Sequence, residues 1–431
     1  MIGLVVIIIV DTSIVKVYDL IDKFLIPQQA KLVLLSANTS LCLILEFVII
    51  KYTKISSNIR RLDERLSFNS LFRVSLISLS IVTVLMGFLI FQQFYNSYYY
   101  EIIPILIIII TYGTAAGLLI KLSTLFISWY KSNHNSIVLL YFISISLIAF
   151  NLATTAIITT VKIYDRPDIT REFVGGMADI SVGKYVFLQN IYTISSIVSF
   201  FSIWITTALL MTHYREKLIN AIIYWIILSI PLAYFFVNYF YQLIFANILI
   251  SYLTIDPVSV SVALTAFLSL SKPIGGLTFA VAFWKISKIV SYEKNVRTYM
   301  IISGWGIFLI FGADQAVLQA LAPYPSFGLA TVTVLIIAAF LMVLGIYNSA
   351  TLVSVNNELR KSIYKHALES NLLGLIGRAE MEKEIQKTVK KVTEDLETVG
   401  EIQVPVEEID EKELKKYIDL VIREVKKEDK H

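Results

Sequence analysis

The chain has 431 residues, 56% of them hydrophobic and 16% charged, with a net charge of +4 and a mean hydropathy of +0.71. A water-soluble chain carries about 25% charged residues, so this composition excludes a wholly water-solvated globule and names the lipid bilayer as the main partner. Cys42 is the single cysteine, which excludes an internal disulfide and any cysteine-built zinc or iron–sulfur centre.

Residues 1–31 begin with an apolar run, Met1 to Val10, that is too short to span and is followed by Asp11, Lys16, Asp19, Asp22 and Lys23. No basic n-region or small-residue cleavage site marks it as a signal peptide. It reads as an extracytoplasmic amphipathic segment. A span needs about 20 apolar residues to cross a hydrocarbon core about 30 Å thick. Stretches of that length fall near 32–50, 74–94, 102–120, 137–161, 186–211, 218–239, 258–284, 299–321 and 327–353. The expected fold is therefore an all-α polytopic membrane bundle of about nine transmembrane helices, over residues 32–353.

The basic residues between these stretches alternate in abundance. Lys51, Lys54, Arg60, Arg61, Arg65, Arg73, Lys121, Lys131, Arg215, Lys217, Lys285, Lys288, Lys294 and Arg297 fall on one side; Lys16, Lys23, Lys31, Lys162, Arg166, Arg171 and Lys184 fall on the other. Short cytoplasmic loops retain Lys and Arg, which predicts an N-terminus outside and a C-terminus in the cytosol, in a cell membrane. The tyrosines Tyr95, Tyr98, Tyr99 and Tyr100 then sit at the outer boundary, where amphipathic rings settle. The largest outer loop, 162–185, is polar and reads as a solvated connector.

Ionisable groups inside the spans are costly and mark candidate sites. Glu46, five residues before Lys51, is expected to snorkel to the inner face. Lys272 lies in the seventh stretch, next to Pro273, Gly275 and Gly276, which together predict a helix break. Asp314 lies toward the outer end of the eighth, at a depth the lysine stem reaches. The Lys272–Asp314 pair has two readings: an ion pair that keeps both charges in lipid, and an ion or proton relay at an interrupted helix. A retinal site is excluded by Leu268, four residues before Lys272, where a microbial rhodopsin carries aspartate. Gly113 and Gly117 form a small-xxx-small step that predicts close helix packing, within the bundle or between protomers.

Redox and hydrolytic chemistry find no support. His134, His213, His366 and His431 all fall outside the stretches, so no span supplies imidazole to a haem, copper or zinc centre. Walker A, dinucleotide-loop and Gly-x-Ser-x-Gly signatures are absent. No cofactor, metal or catalytic residue is expected, and the reading is of a protein that is not an enzyme.

Residues 358–431 hold 15 Lys/Arg against 18 Asp/Glu, whereas residues 1–357 hold 22 against 15. The basic excess belongs to the membrane-flanking loops, which argues for lipid headgroups and against nucleic acid. The tail, 354–431, reads as cytoplasmic helix, divided at Gly374 and Gly377. Beyond them Ile385, Val389, Val392, Leu396 and Val399 recur at steps of four and three, the seam of a short coiled coil. Such a seam suits a homodimer, a cytoplasmic protein partner or the protein's own inner loops.

The stretch from Ala322 to Gly328 and the run from Gly377 to Ile385 resemble uncharacterised archaeal multi-pass membrane proteins, over about the last quarter of the chain. The resemblance implies a membrane protein and no particular activity. The residues support sensing, signal relay or scaffolding through the tail; the alternative is a secondary transporter working through Lys272 and Asp314.

Overall fold

Long apolar segments must satisfy their own backbone polar groups when no water is at hand, and the helix is the one open-ended element that does so. A computed structural model gives that outcome. It describes residues 1–23, 27–58, 68–96, 100, 102–164, 186–212, 221–244, 267, 270–289, 293–314, 326–356 and 372–398. Among these residues the secondary structure comprises eleven helices: α1 (Ile2–Lys23), α2 (Gln28–Asn58), α3 (Phe68–Asn96), α4 (Ile102–Asn133), α5 (Ser136–Tyr164), α6 (Val186–Thr212), α7 (Ala221–Ile244), α8 (Ser271–Ile289), α9 (Lys294–Asp314), α10 (Leu329–Val355) and α11 (Leu372–Thr398).

Seven of them, α2–α6, α9 and α10, are long and apolar enough to cross a membrane. The expected nine includes two stretches that differ. The sixth overlaps α7, whose described apolar segment is the shorter Tyr224–Val237. The seventh overlaps α8, which is described from Ser271 and carries Lys272, Lys285 and Lys288; residues 245–266, 268 and 269 lie outside the described ones.

Helix α10 is the axis of the bundle. Its apolar window is buried throughout, against α9, α4, α2, α3 and α1. A helix that is apolar on every side needs apolar neighbours all round, and here the protein provides them in place of lipid. Close approach of α9 and α10 depends on glycine. A Cβ at Gly306 would lie 2.7 Å from the Met342 backbone nitrogen and 2.9 Å from the Ala338 carbonyl oxygen, while Gly345 faces Ser303 and Tyr299 in return. Small residues let membrane helices meet backbone to backbone, where dispersion replaces the hydrophobic drive that lipid removes.

Helix α3 shows the complementary arrangement. Leu79, Val82, Met86 and Leu89 are buried, whereas Val74, Ile77, Ile81, Val84, Phe88 and Phe91 form an exposed stripe at steps of three and four, 45–71% accessible. In water such a stripe would drive association; against acyl chains it is a matched surface.

The N-terminal helix α1 packs antiparallel to α2. Gly3 meets Leu45, and Asp11 faces Asn38. Leu4, Ile7, Ile8 and Asp11 are buried. The first ten residues therefore lie beside the α2 span, a placement that loop charges do not encode. The chain divides into two units, Met1–Met381 and Glu382–His431. Helix α11 runs without interruption through Gly374 and Gly377 rather than dividing there. Val399 lies outside the described residues, as do the side chains of Val389, Val392 and Leu396; Ile385 is half-buried.

Candidate functional site

Lys272 in the first turn of α8 and Asp314 at the last position of α9 come together, with Nζ 2.7 Å from Oδ2 and both side chains 4% exposed. Two antiparallel helices of nearly equal length bring these ends level. Pro273 sits in the first turn of α8, where its missing N–H breaks no ladder. Gly275 and Gly276 act by close approach instead of by loosening the helix: Gly275 meets the Phe200 ring of α6, and a Cβ at Gly276 would lie 2.7 Å from Phe311 Cβ on α9.

Further helices complete the cluster. Lys272 Nζ also donates to the Tyr192 hydroxyl of α6 at 3.2 Å. Asn151 of α5 donates through Nδ2 to Asp314 Oδ2 at 3.3 Å and accepts from the Ser195 hydroxyl at 3.0 Å. The Thr154 and Ser195 hydroxyl oxygens are 3.2 Å apart. Asp314 Oδ1 and the Tyr112 hydroxyl of α4 are buried and have no hydrogen-bond partner among the described residues; Tyr112 lies within electrostatic reach of Asp314. A charge pair in a low-dielectric interior persists when neighbouring dipoles satisfy its remaining valences. This pair has a hydroxyl and an amide doing so, and one carboxylate oxygen with spare capacity.

A layer of rings lies one to two turns toward the basic ends of these helices. Phe200 and Phe235 stack at 3.9 Å between centroids, and Phe279 and Phe311 lie 5.3 Å and 5.8 Å from Phe200. It separates the polar cluster from Lys285, Lys288 and Lys294.

Sequence reading singled out Lys272 and Asp314 but missed Asn151, Tyr192, Ser195 and Tyr112. A signal existed for Asn151, since a primary amide in mid-span is costly without a partner. Tyr192, Ser195 and Tyr112 are unremarkable residues until their depth is matched to that of the lysine.

Glu46 is fully buried rather than snorkelled. It turns to α10, where the Thr333 hydroxyl lies 2.9 Å from Oε1, and Cys42 Sγ lies 3.5 Å from the same oxygen. Above it, Asp11 accepts from the backbone N–H of Gly328 at 3.1 Å, that of Thr331 at 3.0 Å and the Thr331 hydroxyl at 2.7 Å. Gly113 and Gly117 are exposed, and a Cβ on either meets nothing within 4 Å among the described residues.

At the other end of the bundle the start of α11 is embedded. Leu372, Leu373, Ile376, Ala379 and Glu380 are buried. Glu380 Oε2 accepts from Trp129 Nε1 of α4 at 2.7 Å, the Leu375 carbonyl accepts from Asn133 at 3.4 Å, and Gly377 packs against Val353 of α10. Among the described residues no cluster of His, Cys, Asp and Glu could hold a metal ion. Comparison with protein-family models, curated proteins and solved structures found no match to this chain.

Proposed function

We propose that this protein is a non-enzymatic membrane relay or scaffold whose spans respond to a ligand or to the bilayer and pass that response to a cytoplasmic C-terminal tail. The observation that carries the reading is the seating of α11 on the ends of α4 and α10, through Glu380–Trp129 and Gly377–Val353. Helix α10 packs against α9, α4, α2, α3 and α1 and meets the tail helix at Val353, so a shift along its axis has a direct route outward. The tail belongs in the cytosol of a cell membrane by the excess of Lys and Arg flanking that side. Its seam, Ile385, Val389, Val392, Leu396 and Val399, suits a second copy of the chain or a partner helix.

Allosteric relay requires that two ends of the bundle be energetically coupled. Asp11→Ala, at the far end of α10, should raise the hydrogen-exchange rate of Leu372–Ala379 several-fold in the full-length protein in nanodiscs. Unchanged exchange in a folded variant rejects the relay.

A second reading, a secondary transporter, is favoured by the open acceptor on Asp314 and the neighbouring Tyr112 hydroxyl. Intramembrane carboxylate–lysine sites at a helix terminus suit ion coupling. Flux in liposomes that is abolished by Lys272→Met supports it; flux that is unaffected removes the lysine from any such role.

A further inference from the structure

Glu46 is a carboxyl group inside the apolar span of α2, and no cation answers it among the described residues. No ion pair to it occurs among the described residues, and its Oε2 is buried without a hydrogen-bond partner. The titratable group facing it is Cys42 on its own helix, which in turn lies within electrostatic reach of Asp11 of α1; on α10 it meets the Thr333 hydroxyl.

The hydroxyl of Thr333 is asked to serve two acceptors at once. The Thr333 hydroxyl oxygen lies 2.7 Å from the Ala330 carbonyl oxygen and 2.9 Å from Glu46 Oε1. Each separation is that of a hydrogen bond, but a threonine hydroxyl has one hydrogen to give. If Glu46 were ionised, Thr333 would serve only one of the two acceptors. The other contact would set two oxygen lone pairs face to face, because the Cys42 thiol at 3.5 Å from both Ala330 O and Glu46 Oε1 cannot insert a hydrogen there. With a proton on Oε1 the chain closes: Glu46 donates to Thr333, Thr333 donates to Ala330 O, and Cys42 donates to Glu46. Asp11 offers the contrast. Three donors converge on it and its contacts need no proton of its own.

We infer that Glu46 is a proton-binding site between α2 and α10, its carboxyl carrying a proton on Oε1 directed at Thr333. The proton comes from water and forms one O–H bond, with no transfer of electrons. Its release leaves an uncompensated anion in the apolar interface between α2 and α10 and strips the Thr333 oxygen of its donor, so occupancy governs the contact between the two helices. The site is independent of the relay reading, because its test does not involve the tail.

Infrared spectroscopy of the full-length protein in nanodiscs at neutral pH tests it. Wild type should show the carbonyl stretch of a protonated carboxylic acid, moved by isotope-labelled glutamate and lost in Glu46→Gln, which keeps the shape of the side chain. If the band is absent from wild type, or persists unchanged in Glu46→Gln, the proposal is overturned. Thr333→Val provides the check should Glu46→Gln fail to fold: loss of the acceptor should shift the band to higher frequency, and an unmoved band rejects the assignment.

Discussion

Asp11 Oδ2 accepts both the backbone N–H of Thr331, at 3.0 Å, and the Thr331 hydroxyl, at 2.7 Å, so one carboxylate caps a helix 320 positions later in the chain. The N-cap position of α10 is Gly328, with φ 93° and no side chain to do this itself. The exposed N–H groups of a helix start are costly in an apolar setting unless an acceptor meets them.

Replacing Asp11 by alanine therefore leaves two backbone N–H groups and one hydroxyl without an acceptor. The expected cost is about 2–3 kcal/mol, from a lost N-cap plus buried unsatisfied donors. Asp11→Asn, which keeps one oxygen, should cost less. Thermal unfolding in detergent reads both, and equal melting temperatures for wild type and Asp11→Ala would reject the capping role.

Lys272 and Asp314 should behave as a unit. Lys272→Met alone strands a buried carboxylate, a loss of about 3–5 kcal/mol. The double variant Lys272→Met/Asp314→Leu removes both charges and should recover most of that stability. A double-mutant cycle measures the coupling; strictly additive single effects would mean that the two groups do not sense one another.

Legibility in the sequence followed the cost of each group in lipid. Lys272 and Asp314 were visible as candidates because a charge in an apolar run is conspicuous, and seven of the expected spans rest on length and apolarity that any reader of the chain can measure. Two things were hidden. Lipid-facing and protein-facing apolar residues look alike, so the stripe of Ile77, Val84 and Phe91 and the wholly enclosed α10 have the same composition although one meets acyl chains and the other meets protein. Pairings over hundreds of residues, Asp11 with Gly328 and Glu46 with Thr333, leave no local trace. Gly377 misled for a related reason, since a glycine that permits contact with Val353 has the same letter as one that ends a helix.

The seating of α11 makes its own prediction. Gly377→Val forces a branched side chain into Val353, and Glu380→Ala leaves the Trp129 indole N–H without its acceptor. Overpacking and a lost buried bond each cost about 1–3 kcal/mol. Hydrogen exchange of Leu372–Ala379 should accelerate in both variants and stay at the wild-type rate in Lys131→Gln, an exposed neighbour. Acceleration in the control alone, or in none, would show that these contacts do not hold the helix.

Sidedness can be read with one reagent, because the native thiol is silent. Cys42 is fully buried, so a membrane-impermeant maleimide should leave wild type unlabelled. Tyr100 is 58% exposed at the start of α4, and Lys131 is exposed near its end. A helix of 32 residues at about 1.5 Å per residue is long enough to separate these positions by a whole hydrocarbon core. Cysteine at position 100 should be labelled in intact cells and cysteine at position 131 only after permeabilisation, as the clustering of Lys and Arg near the latter requires. Pro27 is exposed just ahead of α2, and the variant Pro27→Cys should label together with position 100, because α2, α3 and α4 cross in alternation. Labelling of position 131 in intact cells with position 100 protected would invert the protein and put the tail outside; labelling of both would mean that α4 does not cross the membrane.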